Sequence, residues 1–413
     1  MPGRRDPGAT VSTADAAPSR IAVVGASAAG LSVVEGLRRE GYTGSLTLIG
    51  EEEHLPYDRP PLSKQLLSGE WDTERVRLRG EEDVAALGLQ LRLGSPAVAL
   101  DTQAREVALA DGSLVGYDAL VVATGTRARR LPGTESVRGV HVLRTLEDSL
   151  ALREDLAAGL RLVVVGGGFI GAEAAAVARG LGCEVTLVTD TAEPMGDALG
   201  DELGAMLRTV HHEHGVRIET GVLVDRVLTA GGRAAGVRLA DGRALTADAV
   251  LVGIGALPNI EWLTGSGVPV GNGVECDATL YAGSGVWAAG DVACWLHPRT
   301  GEPWRIEHRT NAAEQGLAVA RNILAGPEQA APFDSVPYVW SDQYDLKIQI
   351  YGRTRGADEM RVVEGSTAER KLVALYGKNG RTCAAVGINM VRAVRGYRAQ
   401  VAAAAPLLTG STA

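Results

Sequence analysis

Gly166, Gly168 and Gly171 stand at G-x-G-x-x-G spacing between the apolar run 161–165 and an alanine-rich segment, the arrangement that binds a dinucleotide pyrophosphate. The first glycine permits the tight turn, the second lets the backbone approach the phosphates, and the third lets helix and strand pack closely. Phe169 and Ile170 complete that turn, with the helix N-terminus facing the anion. About 20 residues on, Thr189 or Asp190 falls where a ribose hydroxyl is read. The Asp190 carboxylate suits a free 2′-hydroxyl, and no Arg or Lys follows until Arg208, so the pattern favours NADH over NADPH. A second, weaker turn comes earlier: Gly25, Ser27 and Gly30, with Ala28 and Ala29 between, put serine at the middle position. Glu51 lies at the end of the next apolar run, placed to accept both hydroxyls of an adenosine ribose. Two dinucleotide sites suggest one tight prosthetic group and one exchanging coenzyme, and flavin plus nicotinamide is the commonest such pair. Two segments fit a flavin: Ala123, Thr124 and Gly125 closing a strand, and Gly290–Asp291 in WAAGDVA. Asp291 could hold a ribityl hydroxyl or simply cap a helix.

These residues need strand ends and helix starts to hold them. Each glycine turn sits in a strand–helix–strand pattern, followed by a segment carrying an Asp-Gly hairpin signal: 107–125 with Asp111-Gly112, and 237–255 with Asp241-Gly242. The two segments resemble each other, as if each unit hands the chain back across a hinge. The expected fold is α/β with two doubly wound dinucleotide-binding domains, one inserted in the other, plus a C-terminal α+β domain. The expected division is a disordered leader 1–19, a first domain 20–125 and 248–327, a second 126–247, and a third 328–413.

The chain has 413 residues, 46% hydrophobic and 22% charged, with 53 glycines, which fits a globular protein of two or three domains rich in tight turns. Its net charge of −9 argues against nucleic-acid binding. No apolar stretch is long enough to span a bilayer, and residues 1–19 lack the apolar core of a secretory signal, so a cytoplasmic protein is expected. Cys183, Cys276, Cys294 and Cys383 are far apart with no C-x-x-C, which favours reduced, buried thiols over a metal or dithiol centre.

Six segments, EEEHLPYDRPPLSK (51–64), GGGFIGAE (166–173), GIGALPN (253–259), GDVA (290–293), EHRTNAAEQG (307–316) and WSDQYDLKIQIYG (340–352), run in order along nearly the whole chain. Together they resemble the FAD-dependent, NADH-using ferredoxin reductases of bacterial oxygenase systems. The resemblance implies a glutathione-reductase-like fold, with Lys64 near flavin N5 and paired with Glu173 at the nicotinamide pocket as the catalytic pair. It implies Arg59 and Arg127 near FAD, Gly255 near NADH, and Trp340 at the flavin edge. One departure is Arg309, where the family often has Trp.

The same resemblance implies hydride transfer from NADH to FAD, then single electrons to an iron–sulfur ferredoxin, 2Fe–2S or similar, that feeds a monooxygenase or dioxygenase. Arg392, Arg395 and Arg398, in a C-terminal region of small net positive charge, could dock an acidic partner or form a solvated helix face. Trp340 could pack in a core instead. Disulfide reductases and NADH oxidases of this fold need a cysteine beside the flavin, and 56–64 has none. The remaining alternative is a slow FAD- and NADH-binding module that signals its redox state to a partner.

Overall fold

The structure, a computed structural model, describes residues 17–407, so residues 1–16 of the expected leader lie outside the described residues. Three sheets organise the chain. The first has the strand order Tyr281–Gly283, Val286–Ala288, Ala119–Val122, Arg20–Val24, Ser45–Ile49, Gln90–Arg92, parallel throughout except for the outer hairpin 281–288. The second is parallel, in the order Arg217–Glu219, Glu184–Val188, Arg161–Val165, Ala249–Val252, Val140–His141. Its central strand, like Arg20–Val24, is a β-branched run buried on both faces after one exposed arginine, as expected where helices cover a parallel sheet.

Each unit also carries a three-stranded antiparallel ribbon turning at its Asp-Gly pair: Ala97–Asp101, Glu106–Leu109 and Leu114–Gly116 in the first, and Val224–Ala230, Arg233–Leu239 and Ala244–Thr246 in the second. Gly112 and Gly242 take φ of 84° and 90°, the left-handed backbone these turns require. The helix Ala28–Arg39 lies against Arg309–Ala325 at glycine contacts: a Cβ on Gly36 would sit 2.8 Å from Ala320 Cβ, and one on Gly316 2.6 Å from the Ala29 carbonyl.

One expected boundary is corrected. A division at 247/248 cuts Ala249–Val252 away from Arg161–Val165, with which it pairs residue by residue. The chain crosses between units only beyond that strand, where Ala256–Pro258 pairs antiparallel with Thr126–Ala128. The strand is the second unit's counterpart of Ala119–Val122, so symmetry between the units gives the better division.

The third sheet is antiparallel, in the order Tyr338–Gln343, Leu346–Gly352, Arg381–Ile388, Lys371–Lys378, Glu359–Ser366. One face, including Leu346, Ile348 and Leu372, packs on Leu203, Leu207 and Val210 of the helix Gly196–Glu213. The other is covered by the short helices Val391–Gly396 and Arg398–Ala402. Its edge strand, Tyr338–Gln343, is thereby laid beside the first two units. Among the described residues, no helix is long and apolar enough to cross a membrane.

Candidate active site

The two glycine turns repeat the same close approaches. A Cβ on Gly25 (φ +120°) would fall 2.0 Å from the Ala123 carbonyl, and one on Gly166 (φ +108°) 2.2 Å from that of Gly253. Gly30 and Gly171 are as tight, 1.9 and 2.0 Å from the carbonyls of Gly25 and Gly166. These four glycines build the turns from behind. The middle positions differ: a Cβ at Gly168 meets nothing within 4 Å, so a side chain has room there, which explains why Ser27 is tolerated at the matching place. Ser27 precedes the helix with extended backbone, makes no side-chain cap and lines the cleft.

Both turns open into one cleft of about 1250 Å³. Its wall includes Gly25, Ser27, Ala28, Ala29, Glu51, Ala123, Thr124, Gly125, Gly290 and Asp291 from the first unit, and Gly168, Phe169, Ile170 and Gly255 from the second. Trp340 enters from the edge strand of the third sheet, stacked on Tyr338 with ring centroids 5.9 Å apart. Thr189 and Asp190 do not line it. Thr189 is buried against Gly167 with its Oγ1 bonded to Thr191, so of the two only Asp190, which is exposed, can offer a polar group to a ribose.

Where the units meet, Lys64 Nζ lies 2.7 Å from Glu173 Oε2, with Lys64 9% and Glu173 3% exposed. Lys64 joins the turn Pro60–Ser63 to the short helix Gln65–Ser68, and Glu173 sits in the helix Phe169–Gly180, so each side chain comes from a different unit. Ser63 and Ser341 also donate to the Glu173 carboxylate, the latter at 2.7 Å. A buried pair with its remaining lone pairs satisfied is held in one geometry.

Three ion pairs stiffen the wall on the first unit's side, one of them, from Arg144, reaching across from the second unit. Arg59 binds Glu52 at 2.7 Å and the Arg144 carbonyl at 2.6 Å. Arg144 binds Asp291 at 2.8 Å. Arg309, where the resemblance leads one to expect an aromatic ring, pairs with Asp58 at 2.5 Å, so an ion pair ties the wall at that place. Arg127 lies at the rim, half-exposed, bonded to Glu261 and Asn259.

Sequence reasoning missed Arg144 and His308. Arg144 immediately precedes the capping box of Thr145 and Asp148, a signal for a helix start but not for the cleft. His308 lines the cleft as the residue before the helix Arg309–Ala325, and its buried Nδ1 has no protein partner. Burial pushes its pKa down to about 4 against the opposing pull of Asp291, so the ring is neutral at pH 7. Thr126 Oγ1, also on the wall, is buried and unpartnered as well. Orphaned polar atoms around a cleft with glycine turns at its two ends fit a polar dinucleotide. The four cysteines are free and line none of it, and burial pushes each thiol upward.

Comparison with known proteins agrees with this architecture. Residues 19–316 match the pyridine nucleotide-disulphide oxidoreductase family and residues 338–412 the reductase C-terminal family. The chain is 39% identical over 349 residues to the ferredoxin–NAD(+) reductase component of a p-cumate 2,3-dioxygenase system from Pseudomonas putida, covering 84% of each. It is 35% identical to putidaredoxin reductase from the same organism, covering 90% of this chain and 89% of that one. Among solved structures, a covalent putidaredoxin reductase–putidaredoxin complex superimposes with a TM-score of 0.89 at 32% identity over 94% of each chain. A ferredoxin reductase from Rhodopseudomonas palustris does so with a TM-score of 0.90 at 34% identity, covering 94% of this chain and 96% of that one. With two glycine turns facing one cleft, a cross-unit Lys–Glu pair between them and a matching C-terminal sheet, the chain belongs to the pyridine nucleotide-disulphide oxidoreductase family.

Proposed function

We propose that this protein is an NADH:ferredoxin reductase that binds FAD in the first unit and NADH in the second, and passes electrons to an iron–sulfur ferredoxin serving a monooxygenase or dioxygenase. The observation that carries the reading is the buried Lys64–Glu173 pair at the meeting point of two dinucleotide turns in one cleft that no cysteine lines. Bound FAD supplies the conversion of a two-electron donor into one-electron output. The protein's share is binding, alignment and exclusion of water. Glu51 would hold the adenosine ribose of FAD, and Asp291, pinned by Arg144, a ribityl hydroxyl. Ser27 and the backbone of the first turn would face the pyrophosphate. Lys64, held by Glu173, would place a positive charge beside the flavin ring, and Phe169, Ile170 and Gly255 would border the nicotinamide.

NADH is preferred because the cations near the ribose position are already committed. Arg208 pairs with Glu193 at 3.0 Å, and Arg217 and Arg243 pair with Glu219, which lies in register with Val188. None is left to neutralise a 2′-phosphate, whereas Asp190 would repel one.

The docking surface for ferredoxin is the outer face of the third sheet. Trp340 pairs across the sheet with Gln349, Gln349 with Gly387, and Val394 packs on Gly387, so the helix Val391–Gly396, which bears Arg392 and Arg395 and is followed by Arg398–Ala402, shares a face with Trp340. The three arginines are exposed and suit an acidic partner. A cytoplasmic location follows from the same reading, as the compartment that supplies NADH.

The test is NADH-dependent cytochrome c reduction by the flavin-loaded protein with and without a 2Fe–2S ferredoxin, repeated with NADPH. A large ferredoxin-dependent rise with NADH is expected. Rapid NADH loss indifferent to ferredoxin would make the protein an oxidase, and negligible turnover with tightly held flavin would make it a redox-responsive binding module.

A further inference from the structure

Glu173 has more hydrogen-bond partners than its ion pair requires, and following them outward leads away from the cleft. Glu173 Oε1 accepts from Ser341 Oγ at 2.7 Å, and Ser341 Oγ lies 3.1 Å from Gln343 Nε2. Gln343 Oε1 lies 3.0 Å from His211 Nε2, and His211 Nδ1 lies 3.0 Å from the Tyr344 hydroxyl. Ser341, Gln343 and His211 are at most 1% exposed, and none of the four residues lines the cleft. The row ends at the surface, where Tyr344 stacks on the exposed His214 with ring centroids 3.7 Å apart.

Donor and acceptor chemistry gives this row one direction. An ionised carboxylate only accepts, so Ser341 donates its hydroxyl hydrogen to Glu173. Its oxygen then accepts from the Gln343 amide nitrogen, whose second hydrogen points to Met195 Sδ at 3.1 Å. The Gln343 carbonyl can only accept, so His211 carries its hydrogen on Nε2, and the neutral ring leaves Nδ1 to accept from Tyr344. Burial, opposed by the bond to Gln343, pushes the His211 pKa down to about 4 and keeps the ring neutral.

The surroundings make the row costly to keep without a purpose. It runs through an apolar core that includes Leu207, Val210, Leu346 and Ile348, where a polar group is tolerated only if fully satisfied. Tyr344, moreover, takes φ +55°, a backbone that bulky residues rarely adopt, and this places its ring between His211 and His214.

We propose that Ser341, Gln343, His211 and Tyr344 are positioning residues for the reductase reaction, forming a one-way hydrogen-bond chain that holds the Glu173 carboxylate aimed at Lys64. The inference rests on the flavin-reductase reading. The chain is built jointly by the edge strand Tyr338–Gln343 with its hairpin and by the helix Gly196–Glu213, so the third sheet reaches the redox site from the far side of the second unit. The titratable and charged groups facing it are Lys64 at Glu173, His214 and His212 around His211, and Arg179 near Tyr344.

The test is single-turnover flavin reduction by NADH in the full-length, flavin-loaded protein, comparing the parent with Ser341→Ala, His211→Phe and His211→Gln at limiting and saturating NADH. Ser341→Ala is expected to slow reduction at saturating NADH about tenfold, the size of losing one hydrogen bond to a charged group, and His211→Phe, which removes only the donor to Gln343, to slow it by less, both with NADH half-saturation unchanged. His211→Gln keeps an N–H at the ε position and restores the rate. If His211→Phe does not fold, Ser341→Ala carries the test. A parent that NADH reduces, with folded Ser341→Ala and His211→Phe variants matching its rate, overturns the chain alone. A parent that NADH does not reduce overturns the flavin-reductase reading and the chain with it.

Discussion

In the first unit Gly25 turns beneath the Ala123 carbonyl and Arg20 clasps Asp118; in the second Gly166 turns beneath the Gly253 carbonyl and Arg161 clasps Asp248. Beyond these shared parts the units diverge. The first surrounds its share of the cleft with fixed charge: Arg59 on Glu52, Arg309 on Asp58, and Asp291 held by Arg144 from across the units. The second offers an open Gly168, a half-exposed Ile170 and an Asp190 that stands free of the cleft wall. Pre-set walls favour a ligand that stays, because little ordering remains to be done on binding, while an open turn favours one that comes and goes. One scaffold used twice thus separates a resident flavin from an exchanging coenzyme.

The largest effects should come from breaking what the units share. Gly25→Ala and Gly166→Ala each force a Cβ into a carbonyl oxygen at a left-handed backbone, and each should cost roughly 4 kcal/mol or more, read by chemical denaturation. Gly25→Ala should also purify without flavin. Gly168→Ala meets no atom, so it should keep fold and flavin and raise only the KM for NADH. A yellow Gly25→Ala protein as stable as its parent would break the comparison.

Next comes the pair that joins the units. Lys64→Met strands a buried carboxylate and should cost about 3–5 kcal/mol of stability. The double variant Lys64→Met/Glu173→Met, with no charge left unpaired, should regain most of that stability while flavin reduction by NADH stays slow. Recovery of both together would reduce the pair to a structural bridge.

How far the sequence reveals this arrangement depends on the range of each contact. The glycine turns and Glu51 are legible because spacing along a strand–turn–helix is local, and the Lys64–Glu173 pair because its flanking segments resemble a known family. Arg144 reaches Asp291 across 147 positions and His308 is defined by the atoms that bury it, so neither leaves a local mark. The same limit misplaced the boundary at 247/248: Ala249–Val252 reads as an apolar strand, but only its partner Arg161–Val165 says whose. Ser341 and Gln343 alternate with outward residues on the edge strand, and their meeting with His211 comes from packing of the third sheet on the second unit.

A smaller effect separates the units by pH. His308 belongs to the first unit's wall and is neutral when folded, with a pKa of about 4 against about 6.5 unfolded. Above pH 6.5 neither state binds the proton and the difference has no effect; as pH falls from there toward 4, the unfolded chain takes up a proton that the folded one refuses. Stability should therefore drop by about 2 kcal/mol at pH 5 through this group alone. In urea titrations at pH 7 and pH 5, His308→Gln should lose correspondingly less than the parent. Equal losses would show that the ring is charged, or exposed, in the folded protein.

The smallest effect lies in the duplicated clasp. Asp118 and Asp248 each accept the backbone N–H and the guanidinium of the arginine that starts their unit's central strand. The arginine holds both carboxyls below the ordinary range, Asp248 down to about 2. A carboxyl with a depressed folded pKa adds stability above its unfolded value near 3.9, and loses it as pH falls through the folded one. Water reaches both clasps, and exposed pairs are worth at most about 1 kcal/mol, so the full linkage is not realised. Asp118→Asn and Asp248→Asn should each cost that much or less at pH 7, by nearly the same amount, and the double variant should lose their sum, because separate sites act independently. Denaturant melts of the three variants decide it: unequal losses would mean that the units share a backbone scheme without sharing its energetics.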